Sequence, residues 1–134
     1  MSGTSPAGVL ETALYVHDLQ EAEAFYTTVL GLELDSKLEG RHVFFRCGSG
    51  MLLVFDPRAT SQPGPVPAHG ATGPGHVAFS VPEAELDGWA DHLRRSDVEI
   101  EADIAWPGGG RSIYFRDPEG NSLELAPPGI WGLT

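Results

Sequence analysis

Basic side chains are scarce in this sequence. Eight lysines and arginines stand against nineteen aspartates and glutamates, a formal net charge of −11. Nucleic acids and anionic membrane surfaces are bound through basic patches, so neither partner is expected. Cysteine is scarcer still. Cys47 stands alone, which excludes an internal disulfide, and its place in the apolar run VFFRC reads as a buried, inert thiol. No apolar run approaches the roughly 20 residues of a membrane span. The opening MSGTSPAG has no basic segment followed by an apolar one, so no secretion leader is expected and the location read from the sequence is cytoplasmic.

What is present suits one compact domain. The chain has 134 residues, 41% of them hydrophobic, enough to bury a core. A strand is predicted at 9–16, where Leu10, Leu14 and Val16 are apolar. Asp18 and Glu21 then form a capping-box pattern ahead of a helix at 19–30, whose Leu19, Ala22, Tyr26, Val29 and Leu30 recur at helical spacing. Gly31 ends it, and short strands follow at 33–37, 41–47 and 51–56. The stretch 57–74 holds five prolines and three glycines without periodicity and reads as a linker. Beyond it come a strand at 75–81, a helix at 83–95, and strands at 99–103, 111–116 and 122–126. The order β-α-β-β-β thus occurs twice. A single domain over 1–134 is expected, with module 1 at about 9–57, a linker at about 58–73, module 2 at about 74–127 and a tail at 128–134.

The two halves also align in sequence. ETALYV (11–16) lies over HVAFSV (76–81), an offset of 65, and GMLLVFDP (50–57) over GNSLELAP (120–127), an offset of 70. The alignment pairs Glu11 with His76 and Val54 with Glu124. Side chains two apart share a strand face, so Glu11, Ala13 and Tyr15 lie together, as do His76, Ala78 and Ser80, and Ser122, Glu124 and Ala126. Glu124 sits mid-strand between leucines, where a carboxylate is costly unless something neutralises it. One imidazole and two carboxylates, Glu11, His76 and Glu124, suit a divalent ion such as Fe, Mn, Ni, Co or Zn, with open positions left for substrate. Strand parity adds His42 and Arg46 on one face and Ser112 and Tyr114 on another. His69, Trp106 and Trp131 fall in Pro/Gly-rich segments, as lid residues or loop anchors.

At this point the sequence resembles the vicinal oxygen chelate superfamily, which includes glyoxalase I, bleomycin-resistance proteins, fosfomycin-resistance enzymes and extradiol dioxygenases. The resemblance is carried by YVHDLQEAEAFYTTVLGLEL (15–34), GHVAFSV (75–81) and YFRDPEGNSLEL (114–125). It implies an α+β fold of two tandem βαβββ modules, a cupped mixed sheet with helices on the outside. It places Glu11, Val54, His76 and Glu124 at the family's metal-binding positions, and Val54 cannot ligate. It implies a metal-dependent lyase, isomerase or dioxygenase that binds a small-molecule substrate through vicinal oxygens, in a homodimer whose modules complete each other's cups. Glu11 and Glu124 are the candidate catalytic residues, Glu11 as a base once displaced from the metal. Tyr15, His42, Arg46, Trp106 and Tyr114 are candidate substrate contacts. The alternative within the same resemblance is a metal-free drug- or metabolite-binding protein of the bleomycin-resistance type.

Overall fold

The computed structural model describes residues 4–134. They divide into two compact units, one ending at Thr72 and one running Gly73–Thr134. In the first, β1 (Glu11–Tyr15) leads to α1 (Leu19–Thr28), then β2 (Glu33–Leu38), β3 (His42–Cys47), β4 (Gly50–Phe55) and a single helical turn, α2 (Pro57–Thr60). The second holds β5 (His76–Ser80), a 3-10 turn at Glu83–Glu85, α3 (Leu86–Arg95), β6 (Ala102–Ala105), β7 (Arg111–Arg116), β8 (Ser122–Ala126) and a last 3-10 turn at Pro128–Trp131. Both expected βαβββ modules are present, each as its own four-stranded mixed sheet. The orders are β1-β4-β3-β2 and β5-β8-β7-β6, with the first and last strands of each module parallel.

Local chemistry accounts for these elements. The Asp18 carboxylate accepts the Glu21 N–H at 2.9 Å and so caps α1. Gly31, at φ 69°, turns the chain out of the helix. Gly50 lets β1 approach β4: a Cβ there would stand 2.9 Å from the Leu10 carbonyl, which accepts the Met51 N–H. Tyr26 of α1 lies over Phe45 of β3, ring centroids 5.6 Å apart, and both are fully buried with Val43, Leu52 and Val54. The core of the second unit is Leu86, Ala90 and Leu93 of α3 with Ile113, Phe115, Leu123 and Leu125 of its sheet.

Two details differ from the sequence expectation. The stretch 57–74 is not structureless at its start. Asp56 accepts the Arg58 N–H and Pro57 occupies the first helical position, so Asp-Pro nucleates α2. The strand expected at 99–103 begins at Ala102. Asp97 takes a left-handed φ of 58° after α3, and pairing with β7 starts only where Glu101 N–H donates to the Tyr114 carbonyl.

The repeat also carries a register correction. Glu11 pairs with Met51 across β1–β4, and His76 pairs with Ser122 across β5–β8. With Glu11 laid on His76, Met51 therefore lies on Ser122 and Leu53, not Val54, lies on Glu124. Val54 belongs to the helix-facing core, fully buried beside Leu52. The gap between the copies' last strands is 71 residues rather than 70, and a slip of one residue moves a side chain to the other face.

Removing the Phe45 ring (Phe45→Ala) is expected to lower stability by about 3–5 kcal/mol, read as a shift in urea midpoint. Leu38→Ala, at a half-exposed strand end, is expected to stay within about 0.5 kcal/mol.

Candidate functional site

The sheet face that carries His76 is polar. Glu124 is 6% exposed on β8, and a carboxylate so placed requires hydrogen-bond donors. It has a relay of them. Trp106 Nε1–H donates to Ser112 Oγ at 2.8 Å, and the Ser112 hydroxyl donates to Glu124 Oε2 at 2.6 Å. Tyr114 lies opposite Glu124 in the β7–β8 register. Burial and then the neighbouring Glu124 charge hold its phenol above the ordinary tyrosine value, with Ser112 acting in the opposite sense.

His76 stands beside this carboxylate at the head of β5. Its Nδ1 lies 3.0 Å from the Ser122 carbonyl, which can only accept, so the ring proton belongs on Nδ1. Nε2 then turns a lone pair towards Glu124 Oε1, 3.4 Å away. Two acceptors facing each other suit a cation between them. Two donors held about 2.1 Å from one ion at a tetrahedral angle stand about 3.4 Å apart, so the pair fits one edge of a metal site. A hydrogen bond from the other ring nitrogen to a carbonyl is also how metal-binding imidazoles are oriented.

The head of β5 is itself fixed from below. Asn121 is 1% exposed, and its side-chain oxygen accepts the Gly75 N–H at 2.7 Å. The Asp117 carboxylate receives the backbone N–H groups of Gly120 and Asn121 and the Asn121 amide. The hairpin before β7 is fixed too: Gly110, at φ 89°, lies so close to Ile130 of the last 3-10 turn that a Cβ would stand 2.6 Å from its methyl. Gly110 also accepts the Trp106 N–H, which places the indole.

The matching face of the first unit is aromatic. Phe55 meets Phe44 edge-on at 5.4 Å and stacks against Tyr15 at 6.1 Å, and His42 stacks on Phe44 at 3.9 Å. Burial and the Arg41 charge push the His42 imidazole below its usual value. The stretch after α2 folds back so that His69 contacts Phe55 at 4.8 Å and Tyr15 OH lies 2.6 Å from its Nδ1.

The structure therefore brings some of the expected residues together and separates others. His76, Glu124, Trp106 and Tyr114 cluster in the second unit, and Tyr15 and His42 share the aromatic face of the first. Glu11 is exposed at the head of β1, and no group of three His, Cys, Asp or Glu side chains among the described residues is arranged around one point. Arg46 is mostly exposed and paired with Asp35 and Glu33. Cys47 is half-buried, its thiol pushed up by burial. Trp131 is 79% exposed. Ser112 is the residue the sequence undervalued: its parity placed it on the right face, but nothing marked it as the donor to Glu124.

A family model described as the Glyoxalase/Bleomycin resistance protein/Dioxygenase superfamily matches residues 8–125. The chain belongs to this superfamily. Among solved structures it is similar to a lactoylglutathione lyase from Agrobacterium tumefaciens, 45% identical with a TM-score of 0.94, covering 97% of this chain and 100% of that one. Among curated relatives it is similar to a putative ring-cleaving dioxygenase, MhqE, of Bacillus subtilis, 31% identical over 88% of this chain and 40% of that protein. Glutathione transferase FosA of Serratia marcescens is 29% identical over 84% of this chain and 74% of that protein. The chain thus spans well under half of the dioxygenase. These three relatives carry the names of enzymes. No helix among the described residues is long and apolar enough to cross a membrane.

Replacing Glu124 by glutamine removes the negative charge beside Tyr114. The Tyr114 phenol is then expected to titrate at lower pH than in the parent, yet still above free tyrosine because burial remains, as read by ultraviolet difference titration. Ser112→Ala is expected to cost about 1–3 kcal/mol, since it strands both the indole N–H and a carboxylate oxygen; urea denaturation measures it.

Proposed function

We propose that this chain is a metal-dependent enzyme acting on a small molecule that presents two neighbouring oxygens. The observation that carries this is the Nε2 lone pair of His76 facing a buried oxygen of Glu124 across 3.4 Å. His76 and Glu124 supply two donors, and Glu11 of a second copy of the chain supplies the third, in a homodimer. The exposed position of Glu11 on an edge strand supports that assignment. One nitrogen and two carboxylate oxygens suit Fe, Mn, Ni, Co or Zn.

A bound dication in such a site supplies Lewis acidity, polarising a carbonyl and stabilising negative charge on an adjacent oxygen. The chain's own residues do the rest. Ser112 holds Glu124 Oε2, which leaves Oε1 directed at His76. Asn121 holds the head of β5, which keeps the imidazole aimed at the same point. Tyr114, a neutral phenol at physiological pH, is a donor beside the carboxylate. Glu11, on the least confined strand end, is the carboxylate able to leave its position and take a proton. The reaction class is that of a lyase or isomerase, as the name of the similar Agrobacterium lyase suggests, or of an oxygenase where the ion is iron.

A second reading is favoured by one observation, the aromatic face of Tyr15, Phe44, Phe55 and His42: capture of an aromatic ligand without metal. Metal content separates the two. Stripped chain reloaded with each ion in turn is expected to bind it, with affinity falling about 10-fold or more in His76→Ala, Glu124→Gln and Glu11→Ala. Mixing the Glu11→Ala and His76→Ala chains is expected to restore part of the binding. Unchanged affinity in the His76 and Glu124 variants would overturn the enzyme reading.

A further inference from the structure

A cleft of about 600 Å³ lies wholly within the first unit, between α2 and the stretch 68–72. Arg58, Ser61, His69, His17 and Thr72 give it its polar groups, and no carboxylate lines it among the described residues. That lining is unusual for a chain with nineteen acidic residues and eight basic ones. The cleft is also rich in unused donors. Arg58 directs Nε and Nη2 to Asp56, and Nη2 also to the His17 carbonyl, while its Nη1 makes no hydrogen bond among the described residues. The Ser61 hydroxyl makes none either.

His69 completes the set. Tyr15 OH and His69 Nδ1 are hydrogen-bonded at 2.6 Å; with the phenol donating, the ring proton sits on Nε2. Nε2 has no partner among the described residues. Edge contact with Phe55 fixes the ring plane, and the backbone N–H of His69 is tied to the Thr60 carbonyl at 2.9 Å. In that tautomer the imidazole is a donor, held at the wall of an open cleft. From these donors we infer that the cleft binds the oxyanion group of a small ligand, a carboxylate or a phosphate, between Arg58 Nη1, Ser61 and His69 Nε2. The Asp56–Arg58 pair leaves little net charge, so recognition rests on directed hydrogen bonds.

The site uses only residues 15–72 and does not rest on the metal reading. The test is an NMR titration of the full chain with inorganic phosphate and, separately, with acetate, at ionic strength held constant with chloride. The ring nitrogens of His69 and the guanidinium of Arg58 are followed. Saturable shifts with either anion are expected, the stronger of the two naming the natural group. Affinity is expected to fall about 10-fold in His69→Phe and in Arg58→Gln, the size of one charge-assisted hydrogen bond. Tyr15→Phe, which leaves the cleft lining intact, is expected to move the ring proton and weaken binding as well. His76→Ala is expected to change nothing. Shifts that match the chloride control, that survive both cleft variants, or that vanish in His76→Ala would each overturn the assignment.

Discussion

A carboxylate buried in an apolar strand has to be held by something, and in this chain the hydrogen bond from Ser112 to Glu124 holds it. Leu123 and Leu125 on either side are almost wholly buried, so β8 cannot rotate Glu124 outwards without exposing its core face. The strand's period of two therefore commits the carboxylate to the same surface as His76. Ser112 satisfies one oxygen and the indole of Trp106 satisfies Ser112. The other oxygen is left facing the imidazole.

The two modules share a plan and diverge on one face. In register, Leu53 takes the place of Glu124, Phe44 that of Tyr114, and Phe55 that of Ala126. The core faces stay equivalent: Leu52 and Val54 in one, Leu123 and Leu125 in the other. The repeat thus keeps what folding needs and changes the chemistry of the opposite face. One copy presents rings, the other a carboxylate, an imidazole and hydroxyls. Arg46 and Arg116 occupy equivalent places, and each is held by acidic partners on the neighbouring strand region, Asp35 and Glu33 in one case and Glu101 in the other.

Much of this was legible in the sequence because periodicity reports burial. The strand parity of SLELA and HVAFS puts Glu124 and His76 on the face opposite the apolar one. The capping residue of α1 and the turn at Gly31 are local chemistry and were equally readable. What was not legible depended on pairing across strands. An alignment of residues can be right in one strand and slip by one in the next, and the sequence alignment pairs Val54 with Glu124 for that reason. The bond from Ser112 joins β7 to β8 through a side chain with no sequence signature of its own. The His69–Tyr15 contact joins residues 54 apart through a proline-rich stretch that has no period to read. Asp-Pro at 56–57 was readable as a helix start, but the run of prolines after it obscured that signal.

The close approach of Gly110 to Ile130 gives the chain's final turn a reach beyond its own length. Because the same glycine carbonyl anchors the backbone of Trp106, a loosened C-terminus would free the indole. A freed indole leaves the serine hydroxyl without its donor, and the carboxylate beyond it less firmly aimed. The packing of the last 3-10 turn and the aim of the Glu124 carboxylate are therefore linked through Gly110, Trp106 and Ser112, although that turn touches neither carboxylate nor serine.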